Sequence, residues 1–439
     1  MATDMTRGSI TRQLIGFSIP LILGNLFQLS YNMVDTIVVG RFAGSAALAA
    51  VGTCDQVMNL LILGVSGICV GASVLMGQFF GANDREKLLD EMRTMTVIGL
   101  IFALAVMALG IPLTGTIFSL MRVQREMLGE ATLYLRVIFA GMPFTCLYNI
   151  YAAALRSIGD SKTPIRFLVI SCLINITLDL ILVAWARMGV AGAALATVAA
   201  QASSAVMCIR YVGRHVPMLR ISWRGLRMDR ALARKTLSYG GMTALQQCSQ
   251  PVGNIIIQSS VNALGVSAAA AFSAVRKIED IGLLPGRSIS TAITAFTAQN
   301  KGAKNDPRIR RGFLRGMGME AVVGMAMSAV ILLARFPLMD LFTKDGSIVA
   351  DGVRYFDLIG YCYILPCVTN GIQGYFRGVG KMTVTFLATL TQISVRVLAT
   401  LLLTPSMGIS GVGLACVLGW SAMILWQLPL QIHTMRRGR

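Results

Sequence analysis

Long apolar blocks, separated by short polar segments, run along almost the whole chain. The apolar positions neither alternate as in a strand nor form the single stripe of a soluble amphipathic helix. Each block can supply the roughly 20 apolar residues that a membrane-spanning helix needs. The pattern therefore predicts an all-α integral membrane protein with about twelve spans. These are 13–40, 46–79, 94–118, 131–155, 164–186, 189–211, 237–263, 266–299, 313–342, 351–376, 382–404 and 409–434.

Three short motifs recur in the second half of the chain at an offset of 219–221 residues. Each half holds six predicted spans, an even number, so both halves would have the same orientation in the membrane. Parallel halves are a transporter architecture, although duplication could also serve packing alone. We therefore predict two pseudo-symmetric six-helix bundles, 1–211 and 236–439, with a central cleft and a cytoplasmic linker at 212–235. The recurring pairs are 78–84 with 299–306, 156–159 with 377–380, and 188–196 with 407–415.

The charges of the chain are few, predominantly basic and unevenly distributed. Hydrophobic residues make up 55% and charged residues only 13%, against roughly 25% charged in a soluble domain. If the N-terminus is inside, the inner segments hold 27 of the 39 Lys and Arg and the outer segments 8. Cytoplasmic loops retain basic residues, so we expect a plasma-membrane protein with both termini cytoplasmic. This bias accounts for the net charge of +19 without a nucleic-acid partner.

Motifs of catalysis and metal binding are missing from the sequence. The nine cysteines lie in apolar spans without any C-x-x-C, and the two histidines lie at predicted cytoplasmic edges. There is no P-loop, no G-x-S-x-G and no H-E-x-x-H. We therefore expect a monomer that is not an enzyme and has no metal site or cofactor. Energy for transport would come from an ion gradient or a partner.

Polar residues inside the spans of the first half are the strongest functional signal. A charged residue at mid-membrane costs about 2.5–3.5 kcal/mol on insertion scales and usually marks a functional site. Asp35 lies in span 1, and Asn175 and Asp179 share one face of span 5. At 1.5 Å per residue, Asp179 lies about 22 Å from the inner end of its helix and Thr197 about 12 Å from the outer end of the next. With Tyr134 in span 4, these residues could line the outer half of one cavity.

We interpret Asp35 and Asp179 as groups that exchange a proton or Na⁺, connected to Asn175, Thr197 and Tyr134. Burial disfavours the charged form of a carboxyl group, which would let it take up and release a cation. Alternatively, Asp35 could cap its helix or reach the membrane surface, and Asp179 could be structural. Neither acid is repeated at the 219–221 offset, so the second half need not bind ions.

Neutral amides form a stripe in span 7 of the second half. Their spacing of four places them on one face of the helix. Such a face suits either the hydrated wall of a substrate cavity or hydrogen bonds between helices. The candidate substrate-binding residues are Gln28, Asn32, Gln246, Gln250, Asn254 and Gln258. The charged residues of span 8, Arg276, Lys277, Glu279 and Asp280, could neutralise one another by i,i+3 and i,i+4 pairing. The roles of Asp55, Arg287, Gln392 and Arg396, like those of Glu279 and Asp280, stay open.

Five motifs form a recognisable set: 19–25 (IPLILGN), 31–40 (YNMVDTIVVG), 155–164 (LRSIGDSKTP), 175–179 (NITLD) and 189–197 (GVAGAALAT). Together they closely resemble the multidrug and toxic compound extrusion (MATE) family, nearest to its DinF-like prokaryotic branch. The resemblance covers essentially the whole chain. It implies two six-helix bundles around a central cleft and exchange of H⁺ or Na⁺ for organic, often cationic, compounds.

The resemblance also implies roles for individual residues. It places the ion-linked network of the family on Asp35, Asn175, Asp179, Thr197 and Tyr134. The chain departs from the family at Gln392, where relatives often have Glu, which argues against an acid-based ion site in the second half.

The preferred hypothesis from the sequence is a secondary antiporter in the lipid bilayer that exports small organic, often amphipathic, compounds. A flippase for lipid-linked precursors shares the general architecture, but it would need a strongly cationic cleft and few basic residues lie within spans. A third possibility is a membrane receptor or scaffold that transports nothing.

Overall fold

The computed structural model describes residues 3–222 and 225–437, without the side chains of Ala46 and Arg437. Residues 223–224 of the predicted linker and the ends of the two predicted bundles at 1–2 and 438–439 lie outside the described residues. All regular structure in the described part is helical. The α-helices are α1 (Ile10–Phe42), α2 (Ser45–Gly81), α3 (Arg85–Leu120), α4 (Arg125–Ser157), α5 (Lys162–Asp179), α6 (Gly189–His215), α7 (Arg230–Asn262), α8 (Val266–Gly282), α9 (Leu284–Gly302), α10 (Asp306–Asp340), α11 (Gly346–Ile359), α12 (Ile364–Gly378), α13 (Met382–Met407) and α14 (Ile409–Arg437).

Nine helices in the described residues are long and apolar enough to cross a membrane. Two predicted spans are each divided between shorter helices. Span 266–299 is split into α8 and α9, which meet at Leu283 just before Pro285. Span 351–376 is split into α11 and α12 by the 3₁₀ turn Gly360–Cys362. The amide stripe in turn lowers the hydropathy of α7, so the second half has fewer continuous apolar helices than the first.

The backbone carries the repeat that the sequence motifs indicate. Residues with a positive φ recur at equivalent turns of the two halves. Equivalent helix ends need the same reversal of chain direction. The N-caps before α3 and α10 also match: the side chains of Asp84 and Asn305 each accept a hydrogen bond from the backbone N–H three residues later. The matching left-handed pairs are Gly44 with Gly265, Asn83 with Lys304, Gly159 with Gly380, and Gly189 with Gly408.

The chain packs as two compact units. The first contains residue 3 and residues 23–244, and its core joins α2, α3, α4 and α6 through apolar side chains such as Met92, Met142 and Tyr151. Small residues bring α2 and α7 together within this unit. A Cβ atom at Gly67 would lie 2.6 Å from the Cα of Ala244. The first turns of α7 are held to α3, because Thr236 donates a 2.6 Å hydrogen bond to the buried Glu91.

The second unit contains residues 4–22 and 245–437. Its main core combines aliphatic side chains with the aromatic rings of Phe272, Tyr355, Phe356 and Tyr363. The N-terminal segment belongs to it because Met5, Ile10, Leu14 and Phe17 form a buried cluster with Ala292 and Phe296 of α9. The first half of α1 therefore packs in one unit and the second half in the other.

Candidate functional site

Two carboxyl groups lie together inside the first unit. Asp35 projects from α1 and Asp179 from the last position of α5, and their side chains are within hydrogen-bonding reach of each other. Asp179 is 0% exposed. Among the described residues, no donor reaches either oxygen of Asp179 or the Oδ1 of Asp35. Ionised carboxylates can only accept hydrogen bonds, so two facing carboxyl groups without a donor are suited to share a proton or a small cation.

The backbone next to Asp179 is unusual. The α-helix ends at this residue and continues as a π-helical turn, Leu180–Trp185. Such wide turns are rare and are frequent at functional sites. Arg187 then reverses the chain in the left-handed conformation before α6 begins. The buried acid therefore lies at a break in the regular hydrogen-bond ladder.

Tyr31 connects the same two helices one turn away from the acids. Its hydroxyl donates a hydrogen bond to the Oδ1 of Asn175, which is fully buried. Tyr31 precedes Asp35 by four residues and Asn175 precedes Asp179 by four, so each pair lies on one helix face. The role of Tyr31 was missed in the sequence, although this shared spacing was a signal that could have found it.

Tyr134 and Thr197 form a second contact near the acids. The buried Tyr134 of α4 lies close to the side chain of Thr197 in α6 and interacts electrostatically with Asp35. Thr197 also donates a 3.0 Å hydrogen bond to the carbonyl oxygen of Ala193. The structure thus brings all five residues of the predicted ion network into one unit, while their role stays a prediction.

A third carboxyl group comes from α2. Asp55, whose role the sequence left open, interacts electrostatically with Asp35 and Tyr134. Unlike Asp179 it is exposed. No group of three His, Cys, Asp or Glu in the described part of the chain could hold a metal ion. Asp55 therefore adds a third acidic group near Asp35 and Tyr134.

The predicted substrate-binding amides do not form one uniform surface. Gln246 is buried, and its Nε2 donates to Gln373 at 2.8 Å and to Thr389 at 2.9 Å. These bonds between helices match the alternative interpretation of the stripe. Gln258 donates to Asn262 at 2.9 Å within α7. Exposure of the others varies: Gln28, Asn32 and Gln250 are exposed, and Asn254 is half-buried.

The two acidic side chains of α8 make polar contacts with residues outside that helix. Glu279 accepts a 2.8 Å hydrogen bond from Tyr363, and Asp280 pairs with Arg287 at 3.1 Å. The Asp280–Arg287 pair crosses the break at Leu283, whereas Arg276 interacts electrostatically with Glu279 at the i,i+3 spacing that the sequence suggested.

A further buried acid, Glu320 of α10, was missed in the sequence. It is 0% exposed, and neither carboxyl oxygen has a partner in the described residues. Its position inside the predicted span 313–342 was the signal that could have found it.

Comparison with known proteins identifies the family. The MatE family model matches residues 20–181 and 243–402, one match in each half of the repeat. The chain belongs to the MatE family. It is 28% identical to the probable multidrug resistance protein YpnP of Bacillus subtilis over 94% of this chain and 93% of that protein. It is 25% identical to the probable multidrug resistance protein NorM of Thermotoga maritima over 86% and 83%.

A solved structure described as the outward-facing conformation of a multidrug resistance MATE family transporter has the same fold. Its TM-score is 0.92 at 22% identity, and the match covers 100% of this chain and 98% of the other. The predicted all-α membrane fold and the family are confirmed. This MatE protein is a multi-pass membrane transporter and not an enzyme. Its DinF-like branch, coupling ion, substrate, monomeric state and the orientation of its termini stay predictions.

Proposed function

We propose that this MatE protein is a secondary antiporter that exports organic, often cationic and amphipathic, compounds in exchange for H⁺ or Na⁺. The observation that carries the proposal is the pair of facing carboxyl groups, Asp35 and Asp179, without a donor among the described residues. A bound proton or Na⁺ would supply the missing positive charge between them. The relatives that match most of the chain are probable multidrug resistance proteins, which supports organic compounds as the exported class.

Occupancy of the pair would change how α1 packs against α5. With a cation bound, both carboxyl groups are attracted to it, and α1 and α5 are held together. Without it, two like charges lie within hydrogen-bonding reach and repel each other strongly at low local dielectric. An ion can drive export only if it binds two conformations with different affinity, and this change in packing supplies such a difference.

Transport in proteoliposomes tests the proposal. We expect a fluorescent organic cation to be moved when ΔpH or ΔNa⁺ is imposed separately, and the gradient that works identifies the ion. Asp35→Asn and Asp179→Asn each keep the side-chain shape but remove the ionisable group, so gradient-driven transport should fall by more than about tenfold. Asp340→Asn, at an exposed position in α10, is the matched control and should transport normally.

Two results would contradict the proposal. Full transport by the Asp35→Asn/Asp179→Asn double variant would remove the acid-coupled mechanism. If the wild-type protein transports no compound under any gradient and shows no counterflow, the result would favour a receptor or scaffold.

The proposal includes an orientation in the plasma membrane with both termini cytoplasmic. It rests on the bias of Lys and Arg toward one set of loops. Labelling of single cysteines placed at the two ends, by a reagent that cannot cross membranes, would show them protected in intact cells.

A further inference from the structure

A cavity of about 670 Å³ opens at one end of the second unit. It lies where α9 passes into α10, where α12 passes into α13, and beside the last turns of α14. We call it the basic cavity and define it by its four cations, Lys301, Arg310, Arg311 and Lys381. The distribution of basic residues predicts that this end faces the cytoplasm.

Most of the positive charge in the basic cavity is not neutralised. The one acid that lines it, Asp306, is 3.8 Å from the Nζ of Lys301. Lys381 donates a 3.2 Å hydrogen bond to Thr434, a neutral group. In the described residues, no carboxylate lies within 4 Å of Arg310, Arg311 or Lys381. Four cations against one acid leave a site suited to an anion.

The interior of the basic cavity is apolar. Ile309 and Tyr375 are buried there and belong to one hydrophobic cluster with Val379 and Met435. Leu314, which also lines the cavity, is 60% exposed one turn from Arg310. A charged rim beside apolar surface favours a ligand that is itself amphipathic over a free ion.

The two halves of the repeat differ sharply at these positions. At the offset of 221 residues, Arg311 corresponds to Asp90 and Lys381 to Asp160. Asp160 accepts hydrogen bonds from Thr163 at the start of α5, whereas Lys381 makes no such cap for α13. A cap that stabilises the first half has thus been replaced by a cation in the second. The general bias of cytoplasmic loops does not explain this difference, because both ends would face the same side.

We propose that the basic cavity binds the phosphate headgroup of an anionic phospholipid. Arg and Lys make strong charge-assisted bonds to phosphate oxygens. Basic pockets between helices on the cytoplasmic side are suited to anionic headgroups, and anionic lipids are abundant in that leaflet. The apolar interior and Leu314 would take the adjoining glycerol and acyl segments. The site is independent of the two facing acids, Asp35 and Asp179, and of any direction of transport.

Lipid binding to the delipidated full-length protein in detergent tests the proposal. The probes are short-chain phosphatidylglycerol, short-chain phosphatidylcholine and inorganic phosphate, followed by thermal shift and native mass spectrometry. We expect phosphatidylglycerol to bind the wild type and phosphatidylcholine to bind at least tenfold more weakly. Each cation near the surface contributes about fivefold to anionic lipid binding, so Arg311→Gln/Lys381→Gln should weaken phosphatidylglycerol by at least about tenfold.

Two further variants make the test specific. Arg311→Lys/Lys381→Arg keeps both charges and should restore binding to within about threefold of the wild type. Arg234→Gln/Lys235→Gln removes two exposed cations at the start of α7 and should leave binding unchanged. The proposal would be overturned if this control lost as much phosphatidylglycerol binding as Arg311→Gln/Lys381→Gln. It would also be overturned if the two lipids bound the wild type equally well. Inorganic phosphate that binds as tightly as phosphatidylglycerol would overturn the assignment to a lipid.

Discussion

At the scale of single residues, the function proposed here depends on which buried polar groups have partners. Asp179 and Asn175 are both fully buried. In the described residues, the Oδ1 of Asn175 accepts a hydrogen bond from Tyr31, whereas the Nδ2 of Asn175 and both oxygens of Asp179 have no partner. A buried polar group that lacks a partner costs about 1–3 kcal/mol. In the proposed mechanism, Asp179 is the group that exchanges the ion and Asn175 is the residue that positions it.

Tyr31→Phe tests this division of roles. The change removes the hydrogen bond that Tyr31 donates and leaves the Oδ1 of the buried Asn175 without a donor. We expect this loss to lower the free energy of unfolding by about 1–3 kcal/mol. Because α1 and α5 are then less firmly aligned, the pH dependence of transport should also change. Thermal unfolding in detergent and transport at several pH values measure the two effects.

Tyr361→Phe is the matched control, since Tyr361 is 72% exposed. It should change neither property. An unchanged pH profile in Tyr31→Phe, together with lower stability, would show that Tyr31 serves packing alone.

At the scale of helices, small residues allow the closest approach of α2 and α7. Gly71 of α2 lies against the backbone of α7, and a Cβ atom there would come within 2.5 Å of the Gly240 nitrogen. Stripes of small residues allow such approach between membrane helices, where water exclusion contributes little.

Gly71→Ala should therefore destabilise the protein by about 1–3 kcal/mol, because backbone cannot move aside for the added methyl group. Gly64→Ala is the control in the same helix, where nothing lies within 4 Å of the new atom. It should be neutral or stabilise by up to about 1 kcal/mol, since alanine favours the helix. Melting temperatures of the two purified variants give the comparison, and equal values would contradict the packing argument.

At the scale of the whole molecule, the compact units do not follow chain order. Residues 4–22 belong to the second unit although they are the start of the first sequence half. Arg308 holds this segment through hydrogen bonds to the carbonyl oxygens of Met5 at 3.0 Å and Arg7 at 2.9 Å. A third bond, to the side chain of Gln13, is 3.0 Å long.

Arg308→Gln should release the N-terminal segment. Hydrogen bonds to charged groups contribute about 1.5–3 kcal/mol each, so cleavage by trypsin after Arg7 and Arg12 should accelerate by at least about tenfold. Arg310→Gln removes a nearby exposed cation and should leave the cleavage rate unchanged. Time courses of limited proteolysis of the intact transporter measure both. The same rate in the two variants would show that other contacts hold the segment.

The fold class, the duplication and the positions of two acids inside predicted spans were readable from the sequence, whereas the buried Glu320 was missed. The bilayer makes polar residues costly, so apolar blocks reveal the spans, and Asp35 and Asp179 stand out inside them. Helical periodicity also placed Asn175 on the face of Asp179. These properties depend on residues close in the chain.

Only the tertiary structure decided which faces meet. Tyr31 and Asn175 are 144 residues apart, and Gln246 and Gln373 are 127 apart. Local sequence determines that each segment is a helix, but its rotation about its own axis is set by packing against distant segments. The facing of Asp35 and Asp179, the bonded state of Gln246, the docking of residues 4–22 and the basic cavity all depend on that rotation.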